Sequence, residues 1–129
     1  MTSSPGPFVA RPPWIGIVDD DDDVRRALRR LLIASGFAVA AFESGEAFLA
    51  SLPSPHPLEC LILDVHLGGM SGLELYQLLR QRAIAPPVVF ITAHAELLDD
   101  VEWVDTPCLQ KPFDSQALIE AIAQARRAA

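Results

Sequence analysis

The sequence predicts a parallel α/β domain, a doubly wound sandwich in which five strands alternate with five helices. Three observations carry this. Short apolar runs alternate with stretches of helical periodicity along the chain. One of those runs, "LECLILD", is apolar almost throughout and ends in Asp64, as a central parallel strand buried on both faces does. The chain has 129 residues, half of them hydrophobic and 21% charged, which suits one core and leaves no room for a second domain.

The elements follow in order. Residues 1–13, with Pro5, Pro7, Pro12 and Pro13, read as a disordered lead, and residues 14–129 as the folded domain. "WIGIV" is the first strand. Val24, Ala27, Leu28, Leu31 and Leu32 then recur at helical spacing, with Arg25, Arg26, Arg29 and Arg30 on the outer face. Gly36 stands where a helix stops in the left-handed conformation. "FAVAAF" is the second strand, and Ser44 opens a short helix through "SGEAFLASL". A rigid loop with Pro53, Pro55 and Pro57 leads into the third strand, "LECLILD". After a Gly-rich loop, Leu75, Leu78 and Leu79 mark the third helix. "PVVFIT" is the fourth strand, ending in Thr92, and residues 95–104 a weaker helix. "CLQ" is a short fifth strand running into Lys111-Pro112. Asp114 caps a last helix that packs through Leu118, Ile119 and Ile122.

Composition excludes several classes. The net charge is -7 with no block of basic residues, which argues against direct nucleic-acid binding. No apolar run reaches the ~18 residues of a membrane span. The N-terminus lacks a basic start followed by an apolar block, so the expected location is the cytoplasm. Cys60 and Cys108 lack metal-ligand spacing and read as buried, reduced thiols. The basic residues are nine arginines and a single lysine, Lys111, so that lysine asks for an explanation.

In doubly wound sheets the working site lies outside the carboxyl ends of the strands. Those ends carry Asp19 and Asp20, Asp64, Thr92 and Lys111. Three converging carboxylates repel unless a cation relieves them, and oxygen-only ligands with room for water suit Mg2+. Lys111 adds a compact positive charge and Thr92 a hydroxyl. Together they suit a phosphoryl group carried on a carboxylate. The run of five aspartates also divides on this reading: Asp19 and Asp20 ligate metal, Asp21 caps the first helix, and Asp22 and Asp23 face the positive end of its dipole. A calcium-binding helix-loop-helix does not fit, because the sixth position from Asp19 is Val24 rather than Gly and the twelfth is Arg30 rather than Glu.

"IVDDD", "LILDVHLGGMSG", "FITAH" and "LQKPF", in that order and each closing a predicted strand, resemble the receiver domain of two-component response regulators. The resemblance covers about residues 14–127. It implies a flavodoxin-like (βα)5 fold with strand order 2-1-3-4-5. It also implies that Asp64 accepts a phosphoryl group from a histidine kinase, a phosphotransfer protein or a small phosphodonor in a Mg2+-dependent reaction. Asp20 would bind the metal directly, Asp19 mainly through water, with Asp64 and the main-chain carbonyl of His66 completing the ligands. Thr92 and Lys111 would contact the phosphoryl oxygens, and the Lys111-Pro112 bond would be cis. His66 and His94 occupy positions that in the family tune phosphoryl lifetime; His56 reads as solvated. The implied protein is a switch rather than an enzyme, with at most phosphorylation from small donors and self-dephosphorylation of its own. It would signal through the face made by the 95–104 helix, the fifth strand and the last helix. Its target would be a separate protein or an output domain absent from this chain, with a homodimer as one form.

Two departures bear on that picture. Gly68 stands where the family usually has proline, which predicts a looser "LGGM" loop. The span from Thr92 to Lys111 is short by roughly one helical turn of ~3.6 residues, "DTP" replaces the usual Gly-Ala turn, and Cys108 holds the place of the switch aromatic. They raise an alternative, a pseudo-receiver acting as a constitutive interaction module. A third reading, a phosphatase with an aspartyl-phosphate intermediate, would want a general acid two residues after the nucleophile, where this chain has His66.

Overall fold

The computed structural model describes residues 13–94 and 106–128, which form nine elements: β1 (Trp14–Val18), α1 (Asp22–Ala34), β2 (Ala38–Phe42), α2 (Gly45–Ala50), β3 (Leu58–Asp64), α3 (Gly72–Gln81), β4 (Val88–Thr92), β5 (Cys108–Gln110) and α4 (Ser115–Ala128). The helix expected over 95–104 and the disordered lead lie outside the described residues, apart from Pro13.

The five strands are parallel and ordered β2-β1-β3-β4-β5, as the resemblance implies. Alternate side chains of one strand feed opposite faces. In β3, Cys60 and Ile62 enter a cluster with Leu28 and Leu32 of α1 and Leu118 and Ile122 of α4. Leu61 and Leu63 enter the other, with Phe48 of α2 and Leu75 and Leu79 of α3. Burying each such side chain contributes about 1.5–3 kcal/mol, so the two half-cores carry the fold.

The helix ends follow from local chemistry. Asp21 caps α1, its Oδ1 accepting from the N–H of Asp23 at 2.9 Å and of Val24 at 3.3 Å. Gly36, at φ +95°, follows Ser35 as that helix stops. Ser44 caps α2 through the Ala47 N–H, and Asp114 caps α4 through the Ala117 N–H at 2.7 Å. Ser71 and Glu74 form a reciprocal capping box on α3, a signature readable in "SGLE".

Four placements differ from the sequence reading. Arg25 does not point outward from α1: its side chain is only 17% exposed, pairs with Asp22 and donates through Nη1 to the Asp19 carbonyl at 2.6 Å. A long cationic side chain near a helix start can fold back over carbonyls and carboxylates at the end of the preceding strand, which periodicity does not register. Ala27, by contrast, is exposed. His56 is half-buried rather than solvated, its ring stacked on Trp14 at 4.3 Å and 6°. Cys60 is buried as expected, its thiol pushed up to about 12 by burial, but Cys108, expected to be buried too, is only half-buried, its thiol pushed up to about 11 for the same reason.

Candidate functional site

Register brings the site together. Val18 of β1 pairs with Leu63 of β3, so Asp19 and Asp64 leave adjacent strands side by side. From β1 the chain crosses to β2 on one flank, while β3 lies on the other. The order therefore reverses between β1 and β3, which opens a crevice at their carboxyl ends. Thr92 of β4 pairs with Gln110 of β5, and the N–H of Lys111 donates to the Thr92 carbonyl at 2.7 Å, so Lys111 arrives at the same edge. The Lys111-Pro112 bond is cis, as the resemblance implies.

The resulting cleft, about 410 Å3, is lined by Asp19, Asp20, Asp64, His66, His94 and Lys111 among others. One carboxylate oxygen from each of Asp19, Asp20 and Asp64 lies within 4.8 Å of the others. Asp19 is 0% and Asp64 3% exposed, whereas Asp20 faces solvent. Lys111 Nζ bridges the two buried acids, 2.8 Å from Asp19 Oδ2 and 3.3 Å from Asp64 Oδ2. The remaining oxygens are also engaged: Asp19 Oδ1 accepts from the Asp21 N–H at 2.9 Å and Asp64 Oδ1 from the His66 N–H at 3.1 Å. Asp20 Oδ2 accepts from the Gly68 N–H at 3.3 Å.

Electrostatics shows the strain in this set. Burial and the neighbouring Asp19 raise the Asp64 carboxyl from its ordinary 3.8 to about 6, against the opposing pull of Lys111 and the His66 N–H. Burial by itself would lower Lys111, but the hydrogen bond to Asp19 and the charges of Asp64 and Asp19 outweigh it, and the ammonium is held above its usual range. Three carboxylates face one ammonium. The oxygen donors, the open mouth and the uncompensated negative charge fit a hard divalent cation such as Mg2+.

Thr92 is placed differently from the rest. It is fully buried, and its Oγ1 accepts from the His94 N–H at 3.0 Å, while Ala93 and His94 supply that part of the cleft wall. The His66 and His94 rings meet at the cleft mouth, centroids 4.7 Å apart and tilted by 54°.

One residue escaped the sequence reading. A Cβ on Gly72 would lie 2.1 Å from the Asp64 carbonyl oxygen, so glycine here lets the start of α3 close onto the end of β3 and fixes where Asp64 sits. The Ser-Gly pair that opens the capping box is the signal that could have found it. Gly68, expected to loosen its loop for want of a proline ring, instead brings an N–H that ties the loop to Asp20.

A profile of the family described as "Response regulator receiver domain" matches residues 15–123. The chain is 38% identical over 112 residues to the transcriptional regulatory protein FixJ of Azorhizobium caulinodans, covering 84% of this chain and 52% of that protein. It is similar to the crystal structure of FixJ-N with a TM-score of 0.80 and 35% identity, covering 91% of this chain and 95% of that one. It also resembles the response regulator protein TrrA of Thermotoga maritima, solved in complex with Mg2+-BeF, with a TM-score of 0.78 and 26% identity over 88% of this chain and 98% of that one. The chain spans about a quarter to half the length of such curated relatives.

Proposed function

The chain belongs to the receiver-domain family of two-component response regulators, and from that premise we propose that Asp64 accepts a phosphoryl group from a histidine kinase or phosphotransfer protein in a Mg2+-dependent reaction. The observation that carries the reading is the convergence of Asp19, Asp20 and Asp64 with Lys111 in one cleft at the carboxyl edge of the sheet.

Asp19, Asp20, Asp64 and the main-chain carbonyl of His66 would hold Mg2+. When bound, that ion supplies positive charge that neutralises the phosphoryl oxygens during transfer. Asp64 is the nucleophile: one carboxylate oxygen forms the bond to phosphorus as the phosphorus–nitrogen bond of the donor imidazole breaks and its electron pair stays on nitrogen. Lys111 is already within ion-pairing distance of that carboxylate and can pass from Asp64 to a phosphoryl oxygen with little movement. Thr92 presents its hydroxyl behind the His94 N–H and would turn toward the phosphoryl group once the negative charge arrives. Arg25 ties the start of α1 to the carbonyl of Asp19 and keeps the acidic turn in place.

The product is a charged switch, not a released product, so the chain acts by changing a surface that another protein reads. FixJ is named a transcriptional regulatory protein, and this chain spans about half of it. We therefore place the output in a further domain or a separate protein, with a homodimer as one form and the cytoplasm as the location. Among the described residues no helix is long and apolar enough to cross a membrane. A constitutive interaction module would need neither the buried acids nor the lysine between them and is not favoured. A phosphatase would want an acid where His66 stands.

The test is intact mass after treatment with acetyl phosphate and Mg2+. Wild type should gain one phosphoryl group and Asp64→Asn none. Equal gain in both would remove Asp64 from the role. Turnover of an added phosphoester would instead support the phosphatase.

A further inference from the structure

The loop between β3 and α3 crosses the mouth of the cleft and is tied down at both ends independently of Asp20. At its start the His66 N–H donates to Asp64 Oδ1 at 3.1 Å. At its far end the Met70 N–H donates to Glu46 Oε2, on α2, at 3.4 Å. Gly69, between them, has φ +78°, and a Cβ there would come within 3.0 Å of Glu46 Oε2, so the backbone lies close against that carboxylate. The Gly68 N–H is thus held in position by its neighbours on either side. It points to Asp20 Oδ2 across 48 positions of sequence, at 3.3 Å.

Asp20 itself has less holding it. It is exposed, and among the described residues its carboxylate makes no ion pair. It stands within 4.8 Å of two buried carboxylates that repel it. Left alone, an exposed aspartate under that repulsion turns to solvent. A donor on the opposite wall changes this. A carboxylate has about four acceptor sites, so an N–H can hold one oxygen while the group still offers sites to a cation.

We infer that the Gly68 main-chain N–H is a positioning group that holds Asp20 toward the metal site. This rests on the reading of Asp20 as a Mg2+ ligand. The position makes the inference separable, because the donor is on the backbone. Alanine at 68 keeps it: Gly68 is not at positive φ, and an added Cβ would meet only Asp20 Oδ2, at 3.9 Å, an ordinary contact. Proline removes it.

The experiment is a Mg2+ titration followed by backbone amide shifts in the full chain, on wild type, Gly68→Ala, Gly68→Pro and Asp20→Ala. Loss of one exposed hydrogen bond predicts that Gly68→Pro binds Mg2+ about two- to tenfold more weakly, with Gly68→Ala close to wild type. A second measurement, hydrogen exchange at the Gly68 amide of metal-free protein, should be faster in Asp20→Ala than in wild type whether or not the proline variant folds. If Asp20→Ala abolishes Mg2+ binding while Gly68→Pro binds as wild type, the positioning role is wrong and the metal reading stands. If Asp20→Ala binds Mg2+ as wild type does, the metal reading itself fails. Equal weakening by alanine and proline would assign the effect to loop shape and overturn the role of the N–H, as would unchanged exchange at Gly68.

Discussion

The two ends of the sheet are built on opposite terms. At the carboxyl edge a cleft of about 410 Å3 holds two buried acids, an exposed one and a lysine between them. At the amino edge a larger groove, about 660 Å3, is lined by Phe48, Leu49, Leu52, Leu58, Ile84 and Pro86 among others, with Arg82 as its charged wall. The larger and more apolar concavity has no converging titratable groups. The smaller one has buried charge and repulsion that folding does not relieve: burial first, and then the neighbouring Asp19, hold the Asp64 carboxyl at about 6 against an ordinary 3.8. What separates a site from a groove here is stored electrostatic conflict, not volume.

If that contrast is sound, substitutions at the amino edge should change stability and leave phosphoryl uptake alone. Phe48, 2% exposed, is the strongest lever: Phe48→Ala should cost about 3–5 kcal/mol in urea unfolding, while the protein that remains folded still gains a phosphoryl group. Uptake lost from folded protein would break the separation. Gly72→Ala probes the other edge. Its Cβ would strike the Asp64 carbonyl, so it should cost about 1–3 kcal/mol and also depress uptake, because the acceptor strand must move. Stability lost without any change in uptake would show that Asp64 tolerates the shift.

Asp64→Asn, which abolishes uptake, should raise stability where both of these lower it. The folded state binds the Asp64 proton more tightly than the unfolded chain, so this group stabilises below about pH 4 and that contribution falls away as pH rises from about 4 to about 6. Near pH 7 the neutral asparagine should therefore raise the stability of metal-free protein by about 1–2 kcal/mol, allowing for screening in the open cleft. The gain should shrink toward zero near pH 4. Melting curves at both values decide it, and an equal or lower melting point at pH 7 would mean that Lys111 already compensates the charge. The smallest effect belongs to His56→Ala, which removes the stack on Trp14 and should cost about 0.5–1.5 kcal/mol, with uptake unchanged.

Much of this molecule is decided by local pattern. Apolar runs ending in Asp19, Asp64 and Thr92, helical spacing through Leu28 and Leu32, and caps at Asp21, Ser44 and Asp114 act over a few residues, and each stands where the sequence predicts. The strand ends named the acids and the lysine of the cleft because parallel strands put all their carboxyl ends on one edge. Tertiary structure alone decided the contacts among them. That Lys111 bridges Asp19 and Asp64 depends on the pairing of Val18 with Leu63 and of Thr92 with Gln110, and so on side chains 92 and 47 positions apart. The inward fold of Arg25, the stack of His56 on Trp14 and the reach of the Gly68 N–H to Asp20 depend on neighbours brought together only by packing. Periodicity reports which face of an element is apolar; it holds no information on which polar atom will lie 3 Å away once two elements meet.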